Sequence, residues 1–213
     1  MTRRRLDPEE RRGELIAAAL RLLAKRPARV ISPEDVTHEA KVSRALFYRY
    51  FPSVEELELA ALRNVAERLP FLPPPDAPLG EQVAQAIHAF FDFAAMLKGP
   101  TIALLGPAPR ASPKAHELIE GGRDRIVAIM CARAGIAKPS LLVELTLRSW
   151  TGVVDRAVVG WLEKGDEAIP RAELEAWLLE ELTLMLEPVI RREHLTIAWS
   201  TPPPRRRPAR SAH

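Results

Sequence analysis

A single cysteine, Cys131, has no partner for a disulfide within the chain, so the fold must be held by its core rather than by covalent staples. Long apolar runs are missing too: no stretch of about 18 uncharged apolar residues occurs, which removes a membrane-spanning helix. The N-terminal MTRRRLDPEERRGEL is basic without the apolar stretch of a signal peptide, and the cytoplasm is the default compartment. Catalytic chemistry is equally short of materials. Five histidines are scattered, and there is no HExxH, no paired-cysteine motif and no glycine-rich phosphate loop; no enzyme, metal or cofactor is expected. Nor does apolar and polar alternation run long enough for a strand, which makes the expected fold all-α.

What is there points to a folded body with a charged partner. With 47% apolar and 28% charged residues over 213 positions, the chain can bury a sizeable core. The net charge of +3 hides an uneven distribution. Residues 1–52 carry 12 Lys/Arg against 7 Asp/Glu, residues 53–193 carry 15 against 21, and residues 194–213 carry 4 against none. A basic head and a basic tail flanking an acidic body favour an anionic partner for the head, nucleic acid before a membrane surface.

Helix starts are written clearly. DPEE from Asp7 offers an N-cap, a proline in the first turn and an acid three residues on. SPED from Ser32, SVEE from Ser53 and SPKA from Ser112 repeat the pattern. Helical spacing predicts helices over 8–26, 33–40, 43–50 and 53–69, then a proline-rich break at 70–80, then helices over 80–97, 101–106, 113–135, 140–164 and 170–193. The organisation read from this is an N-terminal three-helix unit over 1–52, a helical body over 53–193 and a basic disordered tail over 194–213.

The short helix from 33, the tight connection through Lys41 and Val42, and the short helix from Ser43 have helix-turn-helix dimensions. Val36, Ala40, Val42 and Phe47 form the expected inner seam, closed by Leu57, with Phe51 also packing inward. Ser32, Ser43, Arg44, Ala45, Leu46, Tyr48, Arg49 and Tyr50 make up the expected DNA-facing set. Arg44, near the helix start, suits a guanine edge, whereas Tyr48, Arg49 and Tyr50 suit phosphates. Arg3, Arg4 and Arg5 suit an arm reaching the minor groove, or else a disordered start.

VTHEAKVSRALFYRYFPSVEEL, Val36 to Leu57, resembles the DNA-binding motif of the tetracycline-repressor (TetR) family of bacterial transcription regulators, and the likeness extends over roughly residues 8–69. The resemblance implies a dimer whose last two helices build a four-helix bundle across a two-fold axis. Three positions depart from the family pattern: Lys41 where Gly is usual, Leu46 where Thr is frequent, and Val54 where a Lys often meets phosphate.

In the body, His88, Phe91, Met96, Arg148, Trp150 and Asp155 are the candidate ligand-binding residues. Gly121 and Gly122 sit inside a helical pattern and can open space, while Asp155 interrupts an apolar helix seven residues after Arg148. These polar groups can orient a ligand in an apolar cavity, or form an ion pair within the chain or across a dimer. Trp161, Leu174, Trp177, Leu178 and Met185 belong to helices apolar over more than one stripe and are the expected homodimer surface. The reading is a homodimeric regulator, a repressor on a pseudo-palindromic double-stranded operator, released by a small apolar or amphipathic effector. A nonspecific DNA-binding protein, and a helical small-molecule-binding protein or enzyme without a DNA role, are the rival readings.

Overall fold

A computed structural model describes residues 7–25, 31–67, 77–106, 113–197 and 199. Among these residues there are nine helices and no strand. The first four are α1 (Pro8–Lys25), α2 (Pro33–Ala40), α3 (Arg44–Tyr50) and α4 (Val54–Ala66). Each begins where a short side chain satisfies an orphan amide. Asp7 accepts from the Glu9 and Glu10 amides at 2.7 and 3.0 Å, and the Ser32, Ser43 and Ser53 hydroxyls accept from the amides of Asp35, Leu46 and Glu56. At Ser32 the Asp35 carboxylate reaches back to the Ser32 amide at 2.9 Å, closing a capping box.

These four helices share one small core. Leu15 and Ala19 from α1, Val36 from α2, Phe47 from α3 and Leu57 and Ala61 from α4 are buried together, with Ala40, Val42 and Val54 packed at its edge. One turn further along α4, Val65 leaves that core and joins Phe93 and Leu104 in a second cluster, so α4 ties head to body.

The body comprises α5 (Leu79–Met96), α6 (Lys98–Leu105), α7 (Pro113–Arg133), α8 (Leu141–Lys164) and α9 (Arg171–Glu193). Its core runs through Phe91, Trp150, Val158, Leu178 and Leu182. The Ser140 hydroxyl caps α8 at the Val143 amide, a cap not foreseen, while Ser112, the fourth expected start, lies outside the described residues. The head meets the body where α6 crosses α1. There Gly99 lies so close to the Leu23 and Ala24 backbone that a Cβ would stand 2.6 Å from the Leu23 carbonyl oxygen, which only glycine avoids. No helix among the described residues is long and apolar enough to cross a membrane.

Candidate nucleic-acid interface and ligand cavity

The turn between α2 and α3 is made by Lys41 in the left-handed conformation, φ 54° and ψ 45°. The Val42 amide then bonds to the Thr37 carbonyl at 3.0 Å, which stops α2 and lets α3 start three residues later. Lysine holds this position at a steric cost of roughly 1–2 kcal/mol that glycine escapes. A second clamp fixes α2 on α1. The Glu39 carboxylate accepts from Arg21 Nε at 2.8 Å and Lys25 Nζ at 2.9 Å, and these two hydrogen bonds hold its pKa down at about 2.

With α2 and α3 so placed, Phe47 and Phe51 turn inward and stack on each other, ring centres 6.5 Å apart. Ser43, Arg44, Ala45, Tyr48 and Arg49 are exposed on the outer side. The Arg44 side chain is 64% exposed, its Nη1 lies 2.8 Å from Glu34 Oε1, and its guanidinium stands 5.9 Å from the Tyr48 ring centre. The base-reading candidate is thus steadied from two sides while remaining open to a partner. Three members of the expected set are less open than the rest. Tyr50 and Leu46 are half-buried, and the Tyr50 ring packs on the head core because it falls one turn along from Phe47 rather than beside Arg44. Ser32 is likewise half-buried and spends its hydroxyl on the Asp35 cap. Arg3, Arg4 and Arg5 lie outside the described residues. Glu34 and Arg12 were not foreseen; Arg12 lies over the Phe51 ring at 5.1 Å.

A partly open cavity of about 150 Å³ lies among α4 to α8. Its wall is largely apolar: Val65, Ile87, Phe93, Leu104, Ile126 and Trp150 are representative. Gly122 widens it, since no atom lies within 4 Å of where its Cβ would be. Four polar residues line it, Thr101, Arg123, Thr151 and Asp155. Arg123 Nε and Nη2 both donate to Asp155 Oδ2, at 3.0 and 2.7 Å, while Nη1 donates to Glu120. Burial pushes the Asp155 carboxyl up, and the Arg123 hydrogen bonds and charge pull it partly back.

Of the ligand-binding candidates, Trp150 and Asp155 line the cavity; His88, Phe91, Met96 and Arg148 do not. His88 faces outward against Glu175 and Asp92, Met96 is 71% exposed, and Phe91 is a core residue packed at a tilt on Trp161. Arg148 pairs with Glu120 and Asp124 on α7, so the partner of Asp155 is Arg123 instead. The helix rotation brings α7, one helix over, between the two residues that spacing alone had put together. Thr101 and Arg123 were missed; only the position of Arg123, directly after the Gly121–Gly122 pair, gave any sign.

Two family models match the chain. That of the bacterial regulatory proteins of the tetR family covers residues 15–61, ending on Ala61 of the head core, and that of the tetracycline-repressor-like C-terminal domain covers residues 79–185. The chain belongs to the TetR family of bacterial regulators. A solved tetR-family transcriptional regulator from Streptomyces coelicolor is similar over 89% of this chain and 86% of its own, with TM-score 0.79 and 29% identity. A TetR-like transcriptional regulator from a Rhodococcus species shares the fold at TM-score 0.65 and 17% identity, covering 84% of this chain and 96% of its own. Among curated relatives, the HTH-type transcriptional regulator BetI of Brucella anthropi is 39% identical over 59 residues, 28% of this chain. That match spans 30% of the BetI chain. This TetR-family protein is accordingly an all-α, DNA-binding transcriptional regulator, of a family of regulators rather than enzymes.

In this TetR regulator the expected dimer residues divide. Trp177 is 40% exposed on α9 and Met185 half-buried, but Leu174 and Leu178 are buried in the chain's own core. Trp161 packs on Phe91 and donates to Asp166. The exposed apolar side chains of α8 and α9 are Leu141, Leu142 and Leu145 with Trp177 and Leu184.

Proposed function

We propose that this TetR-family regulator is a homodimeric repressor that leaves its operator when a small molecule enters the body. The observation that carries the reading is α6. It lines the cavity through Thr101, Leu104 and Leu105, and it touches α1 of the head through Gly99. A molecule that shifts α6 therefore shifts the head as well. Two heads on a two-fold axis would enter successive major grooves about 34 Å apart, and a changed spacing would lower affinity for a pseudo-palindromic site. The effector can change that affinity only by its own preference between the two head arrangements.

In this division of labour residues 1–52 read DNA, with Arg44 at a base edge and Tyr48 and Arg49 at phosphates. Residues 53–193 sense and dimerise, and 194–213 add a basic tail. Exposed Leu145, Trp177 and Leu184 support a bundle of α8 and α9 across the two-fold axis. The protein would act in the cytoplasm, where the DNA is.

Fluorescence anisotropy with a labelled duplex from DNA flanking the gene, competed by bulk DNA, tests the reading. Specific binding should exceed bulk binding by about 10³ or more at physiological salt. Equal affinity for both would leave a nonspecific DNA-binding protein, and binding to neither a body without a DNA role.

A further inference from the structure

The walls of the cavity restrict what can enter it, and the inference drawn here rests on reading that cavity as the effector site. We propose that the effector is a compact, mainly hydrocarbon molecule of about one ring, bearing an N–H or O–H donor and no negative charge, with Asp155 and Thr101 as its polar anchors.

Size comes first. About 150 Å³ is the volume at which an apolar protein cavity takes up benzene, and it falls below the ≈ 300–1,000 Å³ of drug-sized sites.

Charge comes second. Asp155 receives both Arg123 hydrogen bonds on Oδ2, and among the described residues Oδ1 receives none, leaving an acceptor on a residue of the cavity wall. The Arg123 guanidinium is already shared between Asp155 and Glu120. The ion-pair cluster as a whole sets Arg123 and Arg148 against Glu120, Asp124 and Asp155, an excess of one carboxylate. An anionic ligand would lie against the Asp155 carboxylate, whose side chain is 13% exposed and so little screened by water. A donor, neutral or cationic, meets an acceptor.

The third observation is independent of the ion pairs. Thr101 is 2% exposed, and its hydroxyl has no hydrogen-bond partner among the described residues, although it lines the cavity. Buried hydroxyls are nearly always paired, and an unpaired one on a residue of a cavity wall is explained by a polar group that arrives from outside. Val65, Phe93 and Leu104, on the same cavity wall, carry no side-chain polar group to offer it.

Titration calorimetry on the full-length protein with phenol, benzylamine, toluene and benzoate decides the matter. Phenol and benzylamine should bind about tenfold or more tightly than toluene, and benzoate more weakly than any of them. Thr101→Val, which keeps the shape and removes the hydroxyl, should bring phenol to within about twofold of toluene, and Thr101→Ser should restore it. Asp155→Asn should weaken benzylamine more than phenol; if that variant fails to fold, the Thr101 pair still decides. Benzoate binding tightest, or phenol and toluene binding alike and unchanged by Thr101→Val, overturns the proposed class while leaving the cavity as a binding site. No binding of any of the four probes overturns the effector-site reading and this proposal with it.

Discussion

Replacing Gly99 by alanine tests the contact on which communication between head and body depends. The added Cβ would meet Ala24 Cα and stand 2.6 Å from the Leu23 carbonyl oxygen and 2.9 Å from the Ala24 carbonyl carbon, all of it backbone. Real Cβ atoms essentially never approach closer than 3.0 Å, so α1 and α6 must separate as whole helices rather than by a rotamer change. Overpacking of this kind costs about 1–3 kcal/mol, and the gain in helix propensity returns at most about 1 kcal/mol. A net loss of about 1–2 kcal/mol lowers Tm by roughly 2–8 °C in a chain of this size. Gly121→Ala is the matched control: nothing lies within 4 Å of its Cβ, so it should gain up to about 1 kcal/mol and melt about 2–4 °C higher. Thermal unfolding followed by circular dichroism, at one fixed protomer concentration because assembly shifts Tm, reads both. Operator affinity of Gly99→Ala should fall as well, since the head is displaced. A Gly99→Ala protein with wild-type Tm and wild-type DNA affinity would refute the close α1–α6 crossing and the route from cavity to head built on it.

Arg44→Ala should cost about 1–3 kcal/mol on the specific site and relax preference at one base pair, while Tyr48→Phe weakens all sequences alike; a panel of single-substitution duplexes separates the two. Lys41→Gly should raise the urea midpoint by the equivalent of about 0.5–1 kcal/mol, the relief of left-handed strain less the entropy of a freer unfolded chain. Glu39→Gln should melt below wild type at pH 7. Because folding holds the Glu39 pKa near 2, below its ordinary 4.5, this stabilisation is complete above about pH 4.5 and lost as pH falls toward about 2, and the gap between the two proteins should close over that interval. Trp177→Arg should yield a folded monomer by light scattering, since Trp177 is exposed on the chain itself, whereas Leu178→Arg should unfold the protein because Leu178 is fully buried.

Local features of this protein were legible before any coordinates. Helix starts at Asp7, Ser32, Ser43 and Ser53 are decided within about four residues, because the cap and the amide it satisfies are that close in the chain. For the same reason the inward turn of Val36, Phe47 and Leu57 followed from spacing alone, whereas Lys41, now seen in the left-handed conformation, was marked only by the family resemblance, which has Gly there. Choices between helices were not legible. Asp155 pairs with Arg123, 32 residues away, rather than with Arg148 on its own helix, because α7 packs alongside α8 and brings its guanidinium to the carboxylate. Leu174 and Leu178 turn inward while Trp177, on the same helix, stays exposed, a distinction that depends on how α9 is rotated against α5 and α8. Thr101 and Gly99 acquire meaning only where α6 meets the cavity on one side and α1 on the other. Hydrogen-bond capping acts over one helical turn and is written in neighbouring residues; the rotation of one helix against another is set by the summed packing of the whole core, and no short stretch of the chain records it.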